Sequence, residues 1–345
     1  MKKLFTVSLL VILLIILSSS LLFAKETLVV HGLGGTFEQS QREIMLEPFQ
    51  TDNDCTVVFE TSLSLQTANK MRAQKDNPVL ATPSMDEIYA VQPLVEGLFA
   101  TLDYSKLPNA KDVGEKFRAD HNKYISWFFS TDLIAYNSEY VEDPPKVWKD
   151  LWDPKYAGKL ILPDITTSHG IALLATLAIL NGGSEDNIEP GFEALKSLKP
   201  NVLTYWTNHD QVARMLNLGE AWVAVWCDDR AYTQEAMGSP IRSVIPEDGT
   251  WYFRSVVGIP VNYKNKDLAY KWIDQMLSPK VQKYISEHTF VCPVNSKVTL
   301  DISPELQEKM MGESTVSKLI ALDYVKINKY KEEWTERFRR EITSG

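Results

Sequence analysis

A strand, a glycine loop and a helix, repeated in that order, constrain this chain more than any other feature of it. Thr27-Leu-Val-Val30 is a short apolar run. His31-Gly-Leu-Gly-Gly35 follows, and then a stretch with Ile44, Met45 and Phe49 on its apolar side, the period of an amphipathic helix. Thr36 and Gln39 have the spacing of a capping box opening that helix. The unit recurs as a strand over 56–60, a helix over 63–74 and a strand over 78–84. Ser84 and Glu87 then form a second capping box for a helix through Gly97. Strands alternating with helices build a mainly parallel sheet, whose C-terminal strand ends carry the ligand loops. A second series starts after Pro144-Pro145, with a strand over 159–162, the loop 163–170 and an apolar helix over 171–180. A strand over 221–226 later runs into Cys227-Asp-Asp-Arg230 and a helix through Met237. The extended stretch 124–137 reads as a crossover between the series, with Trp127 and Ser130 facing a cleft. A second crossing is expected after 251–257, where a helix over 267–277 packs back on the first series.

Ahead of the first strand, Met1-Lys2-Lys3 precedes an apolar run from Leu4 to Leu17, then Ser18 to Ser20 and Ala24. This is the plan of a secretory signal peptide, cut after Ala24 or after Ser20. The run is shorter than the ~20 residues that span a bilayer. No cysteine lies beside either cut, so the expected product is a free periplasmic protein. Removing 1–24 takes away Lys2, Lys3 and no acid, which moves the net charge from −9 to −11. An acidic surface disfavours nucleic acid and anionic membrane as partners. About 320 residues remain, in a chain that is 44% hydrophobic, enough for two ordinary cores. Cys55, Cys227 and Cys292 are widely spaced. An oxidising compartment permits one disulfide and one free thiol, and the pairing stays open. His31, His121, His209 and His288 show no HExxH spacing, and there is no GxSxG, P-loop, CxxC or GxGxxG. No metal and no cofactor are expected, and a secreted hydrolase lacks an activated nucleophile.

Four stretches stand in a distinctive order: Trp148-Lys-Asp-Leu-Trp-Asp-Pro-Lys-Tyr-Ala-Gly158, Gly219-Glu-Ala-Trp-Val-Ala-Val-Trp226, Gly238-Ser-Pro240 with Ile245-Pro-Glu-Asp-Gly249, and Gly258-Ile-Pro260 before Asn265-Lys-Asp267. Together they resemble the spermidine/putrescine-type periplasmic binding proteins, over almost the whole mature chain. The resemblance implies a two-lobed α/β fold of type II, each lobe a mainly parallel sheet flanked by helices, with solute trapped by hinge closure. It further implies a monomer whose partner is an ABC permease in the inner membrane. Residues 25–131 and 256–300 form lobe 1 on this reading and 132–255 form lobe 2, with the helices of 301–345 packing on lobe 2.

In that family, aromatic faces hold a polyamine's methylene chain and carboxylates hold its ammonium groups. Laid over this chain, the aromatic positions are kept as Trp226 and Tyr252, whereas three acidic ones fall at Gly35, Ser168 and Arg254. A guanidinium at Arg254 repels an ammonium and forks onto a carboxylate or phosphonate. The loops 32–35 and 166–170 each precede a helix N-terminus, which suits an anion. Asp86, Asp228 and Asp229 are left to hold an ammonium at the other end, although acidic residues also suit a helix start. His169 reads as a satisfied loop histidine, and Trp206, Trp251 and Phe253 as core or rim. The expectation is a non-catalytic solute-binding component of an ABC importer that captures a small carboxylate or amino acid-like zwitterion between its lobes. Gly34, Gly35 and Ser84 would bind from the first lobe, and Ser168, Trp226, Asp228, Tyr252 and Arg254 from the second. A true polyamine receptor using Asp86 and Asp229 is the alternative, and a secreted hydrolase the third reading.

Overall fold

The computed structural model describes residues 25–119 and 121–344; the expected leader, 1–24, lies outside the described residues. β1 (Glu26–Gly32) runs parallel to β2 (Cys55–Thr61), with Glu26 beside Cys55 and Gly32 beside Thr61. β3 (Leu80–Thr82) joins the other edge of β1, giving the order β2-β1-β3. Met45 and Phe49 bury against this sheet with Leu28 and Val30, so the helical spacing read from the sequence does become a core face. The helix Lys266–Met276 returns to the same sheet, its Trp272 edge-on to Phe49 with ring centres 4.9 Å apart.

A second, larger sheet holds the rest. It comprises β4 (Ser84–Asp86), β5 (Tyr124–Asn137), β6 (Leu160–Pro163), β7 (Val202–Trp206), β8 (Val223–Cys227), β9 (Ile241–Val244), β10 (Thr250–Gly258), β11 (Cys292–Pro293) and β12 (Leu319–Ile320). Its path is β12-β10-β5-β8-β6-β7, with β4 on β10 and both β9 and β11 on β5. β5 is the crossover: its first part pairs antiparallel with β10, and its last part with β8 and β9. β6 is parallel to both β7 and β8. The result is a two-lobed α/β fold with two long strands shared between the lobes.

Several local expectations change for physical reasons. The strand expected over 78–84 divides at Pro83, which has no N–H to continue a ladder, and Ser84–Asp86 turns away to pair with β10. The following helix, Glu87–Val95, is capped at Asp86 rather than Ser84. The helix Gly35–Gln41 starts at Gly34, whose φ of 75° favours glycine. There the Glu38 carboxylate accepts from the Gly34 N–H at 3.3 Å, in place of a Thr36–Gln39 box. The helix Ser168–Leu180 begins three residues earlier than its apolar run, because the Thr167 hydroxyl caps it by accepting from Gly170 N–H at 3.0 Å.

The C-terminal helix Tyr324–Phe338 does not rest on one lobe alone. Its Asn328 side chain donates to the Ile88 carbonyl at 3.0 Å, while Lys326 pairs with Asp186 at 2.6 Å and Arg337 with Glu189 at 2.7 Å. Ile327, Trp334 and Phe338 bury in a core that includes Ile88 and Val91 as well as Leu173 and Phe192. One apolar stripe thus serves both lobes.

Cys55, Cys227 and Cys292 are all buried free thiols. Cys227 lies opposite Asp132 on β5 and Cys292 opposite Phe129. Three residues of strand at ~3.4 Å each put these two about 10 Å apart, beyond disulfide reach. Cys55, on β2, belongs to the other sheet.

Candidate functional site

The strand ends converge on a cavity of about 740 Å³. From the first lobe come Gly34, Gly35 and Phe37 after β1, and Asp86 at the end of β4. β5 contributes Phe128 and Ser130, and β10 contributes Phe253. The second lobe adds the first turns of three helices: Ser168 and His169 after β6, His209 after β7, and Asp229 with Arg230 after β8. These helices are Ser168–Leu180, His209–Asn217 and Asp228–Ala236. Their free N–H groups and positive ends therefore face one space.

Of the eight residues expected to bind, Gly34, Gly35 and Ser168 line this cavity and five do not. Side chains alternate along a strand, and on β10 that puts Phe253 in the cavity and its neighbours on the far face. Tyr252 is buried edge-on to Phe117 and donates its hydroxyl to the Lys116 carbonyl at 3.2 Å. Arg254 Nε meets the Glu87 carboxylate at 2.7 Å, its Nη2 binds the same carboxylate, and its Nη1 donates to the Lys116 carbonyl at 3.1 Å. That group borders a separate cavity of about 290 Å³ with Tyr124 and Tyr324. The anion anchor expected at Arg254 is therefore absent from the main cavity. Trp226 is 1% exposed, and its indole N–H donates to His209 Nδ1 at 3.1 Å. Ser84 is buried, and its hydroxyl accepts from the Trp127 indole at 2.9 Å. On β5 it is Phe128 and Ser130, not Trp127, that face the cleft.

Asp228 is a structural acceptor, not a wall residue. It takes the Thr131 N–H at 3.0 Å, the Thr131 hydroxyl at 3.1 Å and the Asp229 N–H at 2.7 Å. Burial, with the Asp229 charge beside it, raises its carboxyl to about 8. Asp86 is different. Its carboxylate accepts only from the Ser64 hydroxyl, at 3.4 Å, and among the described residues no Lys or Arg pairs with it. Burial pushes its carboxyl up, opposed mainly by the charge of His169. Asp229 faces Arg230 at 3.6 Å.

Two histidines form part of the second-lobe wall. His169 Nδ1 lies 2.8 and 2.9 Å from the oxygens of Asp132, which is fully buried. Burial pulls this imidazole down, but the Asp132 carboxylate outweighs it and the net shift is upward. His209 is lowered to about 3 by burial, by His169 and by Arg230, so it is neutral at neutral pH. Phe37, Phe128, Phe253, Asp132 and His209 were not singled out as site residues from the sequence. A strict two-residue period along 124–137 and 250–258 would have found Phe128 and Phe253, whereas Phe37 lies on the helix Gly35–Gln41. Asn208, which caps the helix His209–Asn217 by accepting from Asp210 N–H at 2.7 Å, marks where His209 stands.

The family described as bacterial extracellular solute-binding protein matches residues 90–317. The spermidine/putrescine-binding periplasmic protein of Escherichia coli (strain K12) is 30% identical over 273 residues, 76% of this chain and 77% of that protein. The putrescine-binding periplasmic protein PotF of the same organism is 27% identical over 293 residues, 75% of this chain and 76% of that one. The crystal structure of an ABC transporter protein from Clostridium perfringens ATCC 13124 matches the fold with a TM-score of 0.81 at 30% identity, covering 91% of this chain and 99% of that one.

Proposed function

The chain belongs to the bacterial extracellular solute-binding proteins, and from that premise we propose that it is the periplasmic, non-catalytic capture component of an ABC importer for a small amino acid-like zwitterion. The observation that carries the choice of solute is Asp86, a half-buried carboxylate in the cavity wall that no Lys or Arg pairs with among the described residues and that only the charge of His169 offsets. A partly desolvated carboxylate without a hydrogen-bonded counter-charge is unfavourable, and a solute ammonium would offset that. Across the cavity, three helix N-termini with Arg230 and His169 favour the opposite end of the solute to be negative. Phe37, Phe128 and Phe253 supply apolar faces for the stem between. A solute held by Asp86 and by the second lobe together contacts both lobes, which is the condition for shifting an open-to-closed equilibrium. Closure would hinge where β5 and β10 cross, near the boundaries 131/132 and 255/256, and a permease would read the closed monomer.

A second reading has its own support. Asp229 offers a second carboxylate on the opposite wall, and the relatives named above are described as binding spermidine or putrescine. A diamine spanning Asp86 and Asp229 is that reading. Arg254 enters neither, because it is held by Glu87 outside the cavity.

The test is a thermal-shift and calorimetry panel on the solute-free mature chain with ω-amino acids, diamines and small dicarboxylates. A true solute at a hundredfold its Kd adds about 2.7 kcal/mol to stability. Shifts from ω-amino acids alone support the zwitterion, shifts from diamines alone replace it with the second reading, and turnover of any solute removes the capture role.

A further inference from the structure

We infer that Trp226 and His209 work as one selecting unit: the buried indole locks the His209 imidazole so that its remaining N–H is offered to an oxygen acceptor, the carboxylate end of the solute, in the main cavity. This rests on the zwitterion reading above and adds which residue tells the two ends of the solute apart. It also gives Trp226 a role that does not require contact with solute.

An indole nitrogen can only donate, so the 3.1 Å contact from Trp226 makes His209 Nδ1 the acceptor. The Cys227 thiol stands 3.5 Å from the same nitrogen. In a neutral ring the one proton must then sit on Nε2. The surroundings keep the ring neutral. His209 opens a helix, where a positive charge meets the positive end of the dipole. His169 lies edge-on with ring centres 5.3 Å apart, and Arg230 is on the adjoining helix. Trp206 packs on both imidazoles, with ring centres 5.2 and 4.8 Å away, and is itself fixed by donating to the Val225 carbonyl at 2.9 Å. Among the described residues nothing hydrogen-bonds His209 Nε2, although the side chain lines the cavity. A locked Nε2–H can serve a carboxylate oxygen and has nothing to offer an ammonium, which is also all donors. Asp86 has the opposite preference, so the two residues together orient the solute.

The matched probes are 5-aminopentanoate and 1,5-diaminopentane, of one chain length and differing in one end. Trp226→Phe keeps a ring and removes the indole donor, and His209→Phe removes its acceptor together with the Nε2–H offered to the solute. Each variant is expected to lower the ratio of aminopentanoate to diaminopentane affinity by about tenfold, the size of one hydrogen bond to a charged group. The double variant is expected to lower it no further, because Trp226 acts through His209. Additive effects, or equal loss for both probes in Trp226→Phe, would overturn the unit. Should Trp226→Phe fail to fold, nitrogen NMR of the wild-type chain still decides: His209 with its proton on Nδ1 overturns the lock. Binding of diaminopentane alone to the wild type overturns the solute reading and the selection together. Aminopentanoate binding with an unchanged ratio in both variants overturns the selection alone.

Discussion

Asp86 is half-buried and Asp228 buried, and they differ in what meets them. Asp228 receives two N–H groups and a hydroxyl from its own chain, so it belongs to the scaffold. Asp86 receives one long contact from Ser64, so it is available. Asp86→Asn is expected to weaken any ammonium-bearing solute tenfold to about a hundredfold, the range for a charge-assisted hydrogen bond. The melting temperature of the solute-free chain should hold or rise slightly, since a half-buried carboxylate with only one long hydrogen bond is gone; calorimetry and a thermal melt read the two effects. Asp228 makes a separate prediction through pH. Its folded carboxyl, at about 8, lies above the unfolded value of about 3.9. A raised pKa adds stability that is fully present below the unfolded value and is lost as pH climbs through the folded one. Urea unfolding at pH 5 and pH 8 should therefore show a smaller fall in stability for Asp228→Asn than for the wild type.

At the scale of elements, β10 decides which aromatic and which charge belong to the site. Its two-residue alternation sends Phe253 into the cavity and commits Arg254 to Glu87 on the other face. The Glu87 side chain is 6% exposed and that of Arg254 20%, and removing one partner of a buried pair typically costs about 3–5 kcal/mol. Arg254→Ala should thus lower stability by roughly 3 kcal/mol. Solute affinity in the same variant should stay within about threefold, half a power of ten being about 0.7 kcal/mol. A large loss of affinity with unchanged stability would return Arg254 to the site. The C-terminal helix is the other deciding element. Its contacts to Ile88 on one side and to Asp186 and Glu189 on the other join distant parts of the chain.

At the scale of the whole molecule, the three thiols report on folding. All are buried and unpaired, and burial raises each of them, which suppresses the reactive thiolate. A thiol reagent should label none in the native chain and three after denaturation in non-reducing buffer. One label after denaturation would mean a disulfide that the strand register forbids. Solute binding should also compact the molecule, and X-ray scattering with and without solute would read the closure.

Much of this was legible in residue order alone. The strand-helix alternation and the crossover at 124–137 were legible because periodicity and turn chemistry act locally, and the four motif stretches added the resemblance that implies a two-lobed solute-binding protein. That Gly34, Gly35 and Ser168 stand in loops at strand ends, where they line the cavity, was legible too. The rest depended on tertiary structure. Which face of β10 meets the cleft, that Trp226 packs in the wall against His209, and that Arg254 finds Glu87 are decided by strand register and by partners 17 to 167 residues away. Hand alignment assigns a residue to a position, but a side chain's direction and its counter-charge exist only once the strands are paired, and those two properties separate the solute's anchors from the scaffold's.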